Sequence, residues 1–131
     1  MQLTEAFENG ESLRRFCLAN GIPIYEAMMR REEKQSEKTR EEVLAEMQKN
    51  LDVMRESVER GLNEKVESVS GLSGGEAQKL FKYGKHNPFS GYTACRAAAS
   101  AMAVVEVNAA MGRIVAAPTA GASGILAGAL I

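Results

Sequence analysis

The stretch TACRAAASAMAVVEVNAAMG, residues 93–112, decides the fold, because it is dense in alanine and contains no proline and no internal glycine. Alanine is the strongest helix former, so the run predicts a long helix that is capped by Thr93 and ended by Gly112. Small and apolar residues occur all round this helix, which is typical of a helix central in a larger protein or embedded in a membrane. Glu106 and Asn108 near its end favour the first interpretation.

The segment that follows is apolar but interrupted. Residues 114–131 carry no charge, and Pro118 and three glycines break them. We therefore expect a short extended segment, a turn, and a second buried helix that opens at about Ser123. A membrane-inserting hairpin over 94–131 is the alternative, which partition into detergent would reveal. The chain ends at Ile131 inside this apolar helix without a polar cap, and we expect it to be cut short.

The first half of the chain has the opposite composition. Of the 42 residues from 26 to 67, 21 are charged. Thr39 and Glu42 have the spacing of a capping box, and Gly61 fits a position just after a helix. Between them runs an apolar stripe at helical spacing, which predicts a helix of about 39–60: Val43, Met47, Leu51, Met54 and Val58. We interpret this methionine-rich stripe as ordinary core or as a groove for a partner helix.

The whole chain is predicted to be one all-α domain. Shorter helices are expected around 23–33 and in the first residues through Cys17. The composition divides the chain into charged helices over 1–67, a glycine-loop junction over 68–93, and buried Ala-rich helices with the PTAGASG segment over 94–131.

Charge and cysteine content exclude several classes of function. The formal net charge of −1 provides no field that would attract a phosphate backbone, and we expect neither nucleic acid nor membrane as a partner. The N-terminus has no apolar core of a signal peptide and the chain has two cysteines, so we expect a cytoplasmic protein. Cys17, Cys95 and His86 do not supply the three or four thiolates that an iron–sulfur cluster usually needs. We interpret Cys95 as a buried inert thiol and His86, beside Asn87 and Pro88, as a solvated side chain.

Two glycine-containing segments are the candidates for chemistry. In PTAGASG, residues 118–124, Ser123 has the place of an N-cap, and the converging backbone N–H groups would suit a carboxylate. A plain helix cap is the other interpretation, and the segment is not a P-loop because it lacks the lysine. The segment SGLSGGE, residues 70–76, also precedes a helical start, and its N–H groups could face a ligand or serve an ordinary loop.

These segments carry a resemblance to a known family. The stretch EVNAAMGRIVAAPTAGASGI, residues 106–125, is similar to the signature segment of the α chain of iron–sulfur-dependent bacterial L-serine dehydratases, or L-serine ammonia-lyases. NLDVMRESVERGL (50–62) and GLSGGEA (71–77) resemble the preceding helix and glycine loop of that family, in the same order. The resemblance implies a largely helical catalytic domain with a [4Fe–4S] cluster, which deaminates L-serine to pyruvate and ammonia without pyridoxal phosphate.

The resemblance also implies a set of substrate-binding residues, without identifying the general base. Thr119, Gly121 and Ser123 match the loop expected to hold the substrate carboxylate, and Asn108 is expected to orient that loop. Ser73, Gly74 and Gly75 match the second glycine loop of the family.

The resemblance is incomplete in two respects. Cys17 and Cys95 match none of the cluster cysteines of the family, which lie downstream of Ile131, and Ala127 stands where the family usually has proline. We therefore expect an N-terminal portion of such an α chain that binds no metal and is inactive alone. Its expected partners are L-serine, a β chain or domain, and further copies of itself. A small helical interaction module without catalysis is the alternative.

Overall fold

The computed structural model describes residues 7–86 and 89–131, and every regular element within these ranges is an α-helix. The described residues form six successive helices: α1 Gly10–Asn20, α2 Ile24–Ser36, α3 Arg40–Asn63, α4 Glu76–Gly84, α5 Tyr92–Ala109 and α6 Ala120–Leu130. The predicted all-α class is confirmed. Part of the first predicted helix, residues 1–6, and the Asn87–Pro88 pair lie outside the described residues.

The chain divides into two compact units, residues 1–48 and residues 49–131, so that α3 begins in the first unit and ends in the second. In the first unit, Asn9 caps α1 by accepting a hydrogen bond from the N–H of Ser12 at 2.9 Å. Phe16 is buried on α1, with its ring edge-to-face against Phe7 at 5.0 Å between centroids. This aromatic pair packs the residues just before α1 against the helix.

The predicted helix of residues 39–60 is present as α3, and its capping box is confirmed. The N–H of Thr39 donates to a carboxylate oxygen of Glu42 at 2.8 Å, and the N–H of Glu42 donates to Oγ1 of Thr39 at 3.3 Å. The stripe is only partly buried, since Met47 is 61% exposed. Gly61 does not follow the helix as predicted but lies within it. A Cβ there would come to 2.6 Å from the Cα of Ala103. Its lack of a side chain lets α3 approach α5.

The second unit is built around α5, which contacts α4 and α6. Its core consists of alanine, valine, leucine and methionine side chains: Met54, Val58, Leu62, Ala77, Ala99, Ala103, Val104 and Ala127. The predicted N-cap of α5 is wrong by two residues. Gly91, at a φ of 79°, caps the helix, and Thr93 is an exposed residue of its first turn. A positive φ is accessible to glycine at little cost, so the chain turns into the helix earlier than the threonine indicates.

Two glycines allow α6 to lie directly on α5. A Cβ at Gly124 would come to 2.7 Å from the carbonyl oxygen of Ala101, and a Cβ at Gly128 would come to 2.9 Å from that of Ala97. The four-residue spacing places both glycines on one face of α6, above alanines with the same spacing on α5.

Among the helices of residues 7–86 and 89–131, none combines the length and the apolar character that crossing a bilayer requires.

Candidate functional site

The glycine loop before α4 is fixed by backbone conformations that only glycine adopts easily. Gly74 has a φ of 137°, and a Cβ there would overlap the carbonyl oxygen of Val66. Gly75, the N-cap of α4, has a φ of 84°. Ser73 is tied to Ser68, whose N–H donates to the Ser73 carbonyl at 2.9 Å. The loop is therefore a defined turn that places Ser73 at one position.

Carboxylates of this chain accept the N–H groups of that loop. The N–H of Gly74 donates to Glu76 at 2.8 Å, and the N–H groups of Gly75 and Ala77 donate to the two carboxylate oxygens of Glu106 at 3.1 and 2.9 Å. In this conformation the N–H groups of Gly74 and Gly75 face protein acceptors and not open space. Such charge-assisted hydrogen bonds are stronger than neutral ones.

Glu76 and Glu106 differ in their surroundings. Glu76 is exposed, and hydrogen bonds from its own N–H and from the N–H of Gly74 hold the pKa of its carboxyl below the usual value. Glu106 is only 9% exposed. Its burial is compensated by the two backbone donors, and no described buried side-chain nitrogen or oxygen lacks a hydrogen-bond partner.

The PTAGASG segment is the start of α6 and not an open loop. Thr119 is the N-cap, and its Oγ1 accepts from the N–H of Ala122 at 3.0 Å. The prediction of Ser123 as the N-cap is wrong, because Ser123 is buried one turn into the helix, where its hydroxyl donates to the carbonyl of Thr119 at 3.3 Å. Both residue types can cap a helix, and in the folded chain Thr119 is the one with the extended backbone conformation of an N-cap.

A cavity of about 390 Å³ brings residues of both glycine segments together. Ser73 of the glycine loop and Gly121 of α6 line it, with Glu106 of α5 between the two segments in sequence. The rest of the lining is apolar and comes from α5 and α6: Ala101, Met102, Val105, Ala109, Gly124 and Ile125. The cavity is thus an apolar pocket with a small number of polar groups, which is the usual character of a small-molecule site.

The other five residues that the sequence predicts for the site do not line this cavity. Gly74 and Gly75 shape the loop behind Ser73, and Thr119 and Ser123 shape the N-terminus of α6. Asn108 is exposed on α5, and its carbonyl accepts from the N–H of Met111 at 2.9 Å.

Glu106 is the residue that sequence reasoning missed as part of the site. Its partners are 29 and 31 residues away, so no local pattern reveals them. The sequence contains one indication of a special role for Glu106, which is the only acidic residue between 94 and 131. An isolated carboxylate in an apolar helix needs hydrogen-bond donors if it is buried.

The thiols of the chain do not fit an iron–sulfur cluster. Cys17 is half-buried on α1 in the first unit, and Cys95 is buried on α5, where its sulfur lies 3.2 Å from Oγ of Ser90. His86 is exposed. Across the described ranges, no three side chains from histidine, cysteine, aspartate and glutamate come together as metal ligands. Two thiols fall short of the three or four that a cluster requires.

Comparison with known proteins shows the family of the chain. Residues 19–131 match the serine dehydratase alpha chain family. A probable L-serine dehydratase, alpha chain, of Bacillus subtilis (strain 168) is 41% identical over 125 residues, which cover 95% of this chain and 41% of the relative. An L-serine dehydratase, alpha chain, of Peptoniphilus asaccharolyticus is 35% identical over 116 residues, which cover 88% of this chain and 40% of that relative. The chain thus spans about two-fifths of the length of these relatives, and no solved structure matches it.

Proposed function

The chain belongs to the serine dehydratase alpha chain family, and from that membership we propose that it binds L-serine for deamination to pyruvate and ammonia. The cavity between the glycine loop and α6 carries this proposal, because Ser73 and Gly121 come from the two segments that the family resemblance selects. The cavity volume of about 390 Å³ lies within the range of small-molecule sites.

The proposed roles follow from which hydroxyl groups still have a hydrogen that they can donate to the substrate. Oγ1 of Thr119 accepts a backbone N–H, so its own hydrogen can be donated to a substrate carboxylate. Ser73 lines the cavity, so its hydroxyl is the proposed partner of a second polar group of the substrate. The hydrogen of Ser123 is already donated to the Thr119 carbonyl, so Ser123 supports binding by holding Thr119 in place.

The remaining candidates have supporting roles in this proposal. Gly74 and Gly75 give the loop its shape, since their N–H groups are occupied by Glu76 and Glu106. Gly121 leaves room beside the Thr119 hydroxyl, because a Cβ there would meet only Oγ1 of Thr119, at 4.0 Å. Asn108 stays a candidate for orienting the 119–123 segment by family resemblance.

The chemistry of the deamination is an elimination. A base removes the α-proton of serine, the hydroxyl leaves, and the resulting aminoacrylate hydrolyses to pyruvate and ammonia. In the family a [4Fe–4S] cluster supplies Lewis-acid assistance to the leaving hydroxyl, but the donor set described above does not hold one. The role proposed for this chain is therefore to bind and orient serine, with the cluster thiolates and a β chain or domain supplied by other parts of the enzyme.

Self-association is also proposed, from the apolar surface of α6. Ile125 is 69% exposed and Leu130 60% exposed, and the pair lies on a helix without any charged residue. Contiguous exposed apolar surface marks interaction sites in many proteins. A second copy or the β component would cover it.

A helical interaction module without catalysis is the second candidate, because Leu44 and Met47 on α3 are 49% and 61% exposed. The two functions are separated by assaying the longest product of the gene, purified anaerobically, for pyruvate and ammonia formed from L-serine. Turnover of L-serine, with L-alanine as a competitive inhibitor that lacks the leaving hydroxyl, supports the proposed function. A product that contains iron and sulfide but neither binds nor deaminates L-serine would overturn it.

A further inference from the structure

Glu106 connects two parts of the second unit that are distant in sequence. Its carboxylate, on α5, accepts the N–H of Gly75 at 3.1 Å and the N–H of Ala77 at 2.9 Å. These donors open α4, whose N-cap is a glycine without a side-chain acceptor. Glu106 therefore replaces the local capping side chain from another helix, and its negative charge lies at the positive end of α4.

The same residue lines the cavity together with Ser73. Ser73 is held on its N-terminal side by Ser68, since the two residues exchange hydrogen bonds of 2.9 and 3.2 Å. On its C-terminal side the next anchored N–H groups are those of Gly74 and Gly75, of which the second is held by Glu106. The position of Ser73 at the cavity thus depends on an anchor at each end of the loop.

We propose that Glu106 is a positioning residue, which fixes the glycine loop so that the Ser73 hydroxyl faces the bound substrate. Glu106 acts through Gly75 and Ala77 and does not itself react with the substrate. The inference rests on the proposed function, because it takes L-serine as the ligand of the cavity.

A carboxylate is required for this role because it offers an acceptor oxygen to each of the two N–H groups. Glutamine in the same place has one acceptor oxygen, and its NH₂ group would face the second N–H. One buried N–H would then lose its partner, and the loop could relax away from α5. Glu106→Gln is therefore the most informative substitution, since it removes one hydrogen bond and the charge while keeping the size of the side chain.

The kinetic test uses the longest product of the gene with L-serine as substrate. For Glu106→Gln we expect KM to rise at least about ten-fold while kcat stays within about three-fold, because the binding group is misplaced. A purely structural role would lower the fraction of folded enzyme, and therefore kcat, without changing KM. The matched control is Glu59→Gln, an exposed glutamate on α3 of the same unit, which should leave both constants unchanged.

Two further measurements show whether Glu106 acts through the loop. Amide hydrogen exchange at Gly75 or Ala77 should become at least about ten-fold faster in Glu106→Gln, since a lost hydrogen bond opens the site locally. In a double-mutant cycle with Ser73→Ala, the KM effects of the two substitutions should be strongly non-additive. If Glu106→Gln does not fold, Glu106→Asp keeps the charge with a shorter reach and is tested in the same way.

The outcomes separate this inference from the proposed function. An unchanged KM in Glu106→Gln, or additive effects with Ser73→Ala, overturns the positioning role while serine turnover by the unsubstituted protein still stands. If the unsubstituted protein neither binds nor deaminates L-serine, the proposed function fails and the positioning role fails with it. Faster exchange at Gly75 together with a raised KM supports the inference.

Discussion

Gly124 lies so close to Ala101 that a Cβ on the glycine would come to 2.7 Å from the alanine carbonyl oxygen. This contact sets the distance between α6 and α5 and thereby one wall of the cavity, which both residues line. The backbone of α5 cannot yield as a flexible side chain would, so the glycine is required by tertiary packing and not by its own conformation.

Gly124→Ala should therefore destabilise the second unit. We expect a loss of about 1–3 kcal/mol, as for other overpacked sites, although alanine is the better helix former. Thermal or urea unfolding measures the effect. Gly10→Ala is the matched control, because a Cβ at Gly10, at the start of α1, would have no atom within 4 Å. Equal stability of the two variants would contradict the close contact between α5 and α6.

Thr119→Ala should weaken both α6 and substrate binding. Loss of the N-cap costs about 1 kcal/mol, and loss of the hydroxyl donor weakens L-serine binding about five-fold or more. Thr119→Ser keeps the capping oxygen and the donor, so it should restore both properties. Melting temperature and KM for L-serine, measured on both variants, check this, and failure of serine to rescue KM would remove the hydroxyl from the site.

Ser123→Ala should mainly affect stability. The Ser123 hydroxyl donates to the carbonyl of Thr119 at 3.3 Å and is buried, so its removal costs about 0.5–1.5 kcal/mol. KM for L-serine should change less than in Thr119→Ala. A larger effect on KM than on the melting temperature would show that Ser123 contacts the substrate directly.

Glu26 should make the first unit sensitive to acid. Hydrogen bonds from Arg40 and Arg30 lower the pKa of Glu26 from 4.5 to about 2. A carboxyl with a lowered folded pKa contributes stability that is complete above its unfolded pKa and is lost as the pH falls towards the folded pKa. The contribution should therefore disappear between pH 4.5 and about 2. Thermal melts of Glu26→Gln across this window should show a weaker pH dependence, whereas the exposed Glu41→Gln should match the unsubstituted chain.

The 131-residue chain should bind no [4Fe–4S] cluster after anaerobic reconstitution, because its two cysteines supply too few thiolates. Iron and sulfide analysis with visible absorbance measures this. A brown product with near-stoichiometric iron and sulfide would contradict the expectation. Cys17→Ser and Cys95→Ser would then identify the ligands.

The sequence predicts those features that depend on neighbouring residues. Alanine density predicts α5, and the Thr39 capping box predicts the start of α3, because both rest on local hydrogen bonding and side-chain entropy. The sequence indicates a helix end at Gly61, since its packing partner, Ala103, is 42 residues away in the chain. A single sequence does not distinguish a glycine that close helix packing requires from a glycine that a turn requires.

In the candidate site too, the sequence predicts what depends on neighbouring residues and does not predict contacts between distant residues. Of the seven residues that the resemblance implies for the site, Ser73 and Gly121 line the cavity and the other five do not. The sequence predicts Ser123 as the cap, whereas Thr119 is the cap in the structure. Either residue type can cap a helix, and only the path of the chain decides between them. The role of Glu106 depends on α4 reaching α5, which is a property of the folded unit.

L-serine is proposed to bind in the cavity between Ser73 and Gly121, and Gly121→Ala tests this binding most directly. The added Cβ would have Oγ1 of Thr119, at 4.0 Å, as its one neighbour, and Gly121 has no positive φ, so the substitution is free of strain. Alanine should raise the stability of α6 by about 0.5–1 kcal/mol while taking space from the ligand. We predict a KM for L-serine about ten-fold higher or more, with an equal or higher melting temperature and Gly10→Ala unchanged. An unchanged KM in a stabilised Gly121→Ala enzyme would contradict the claim.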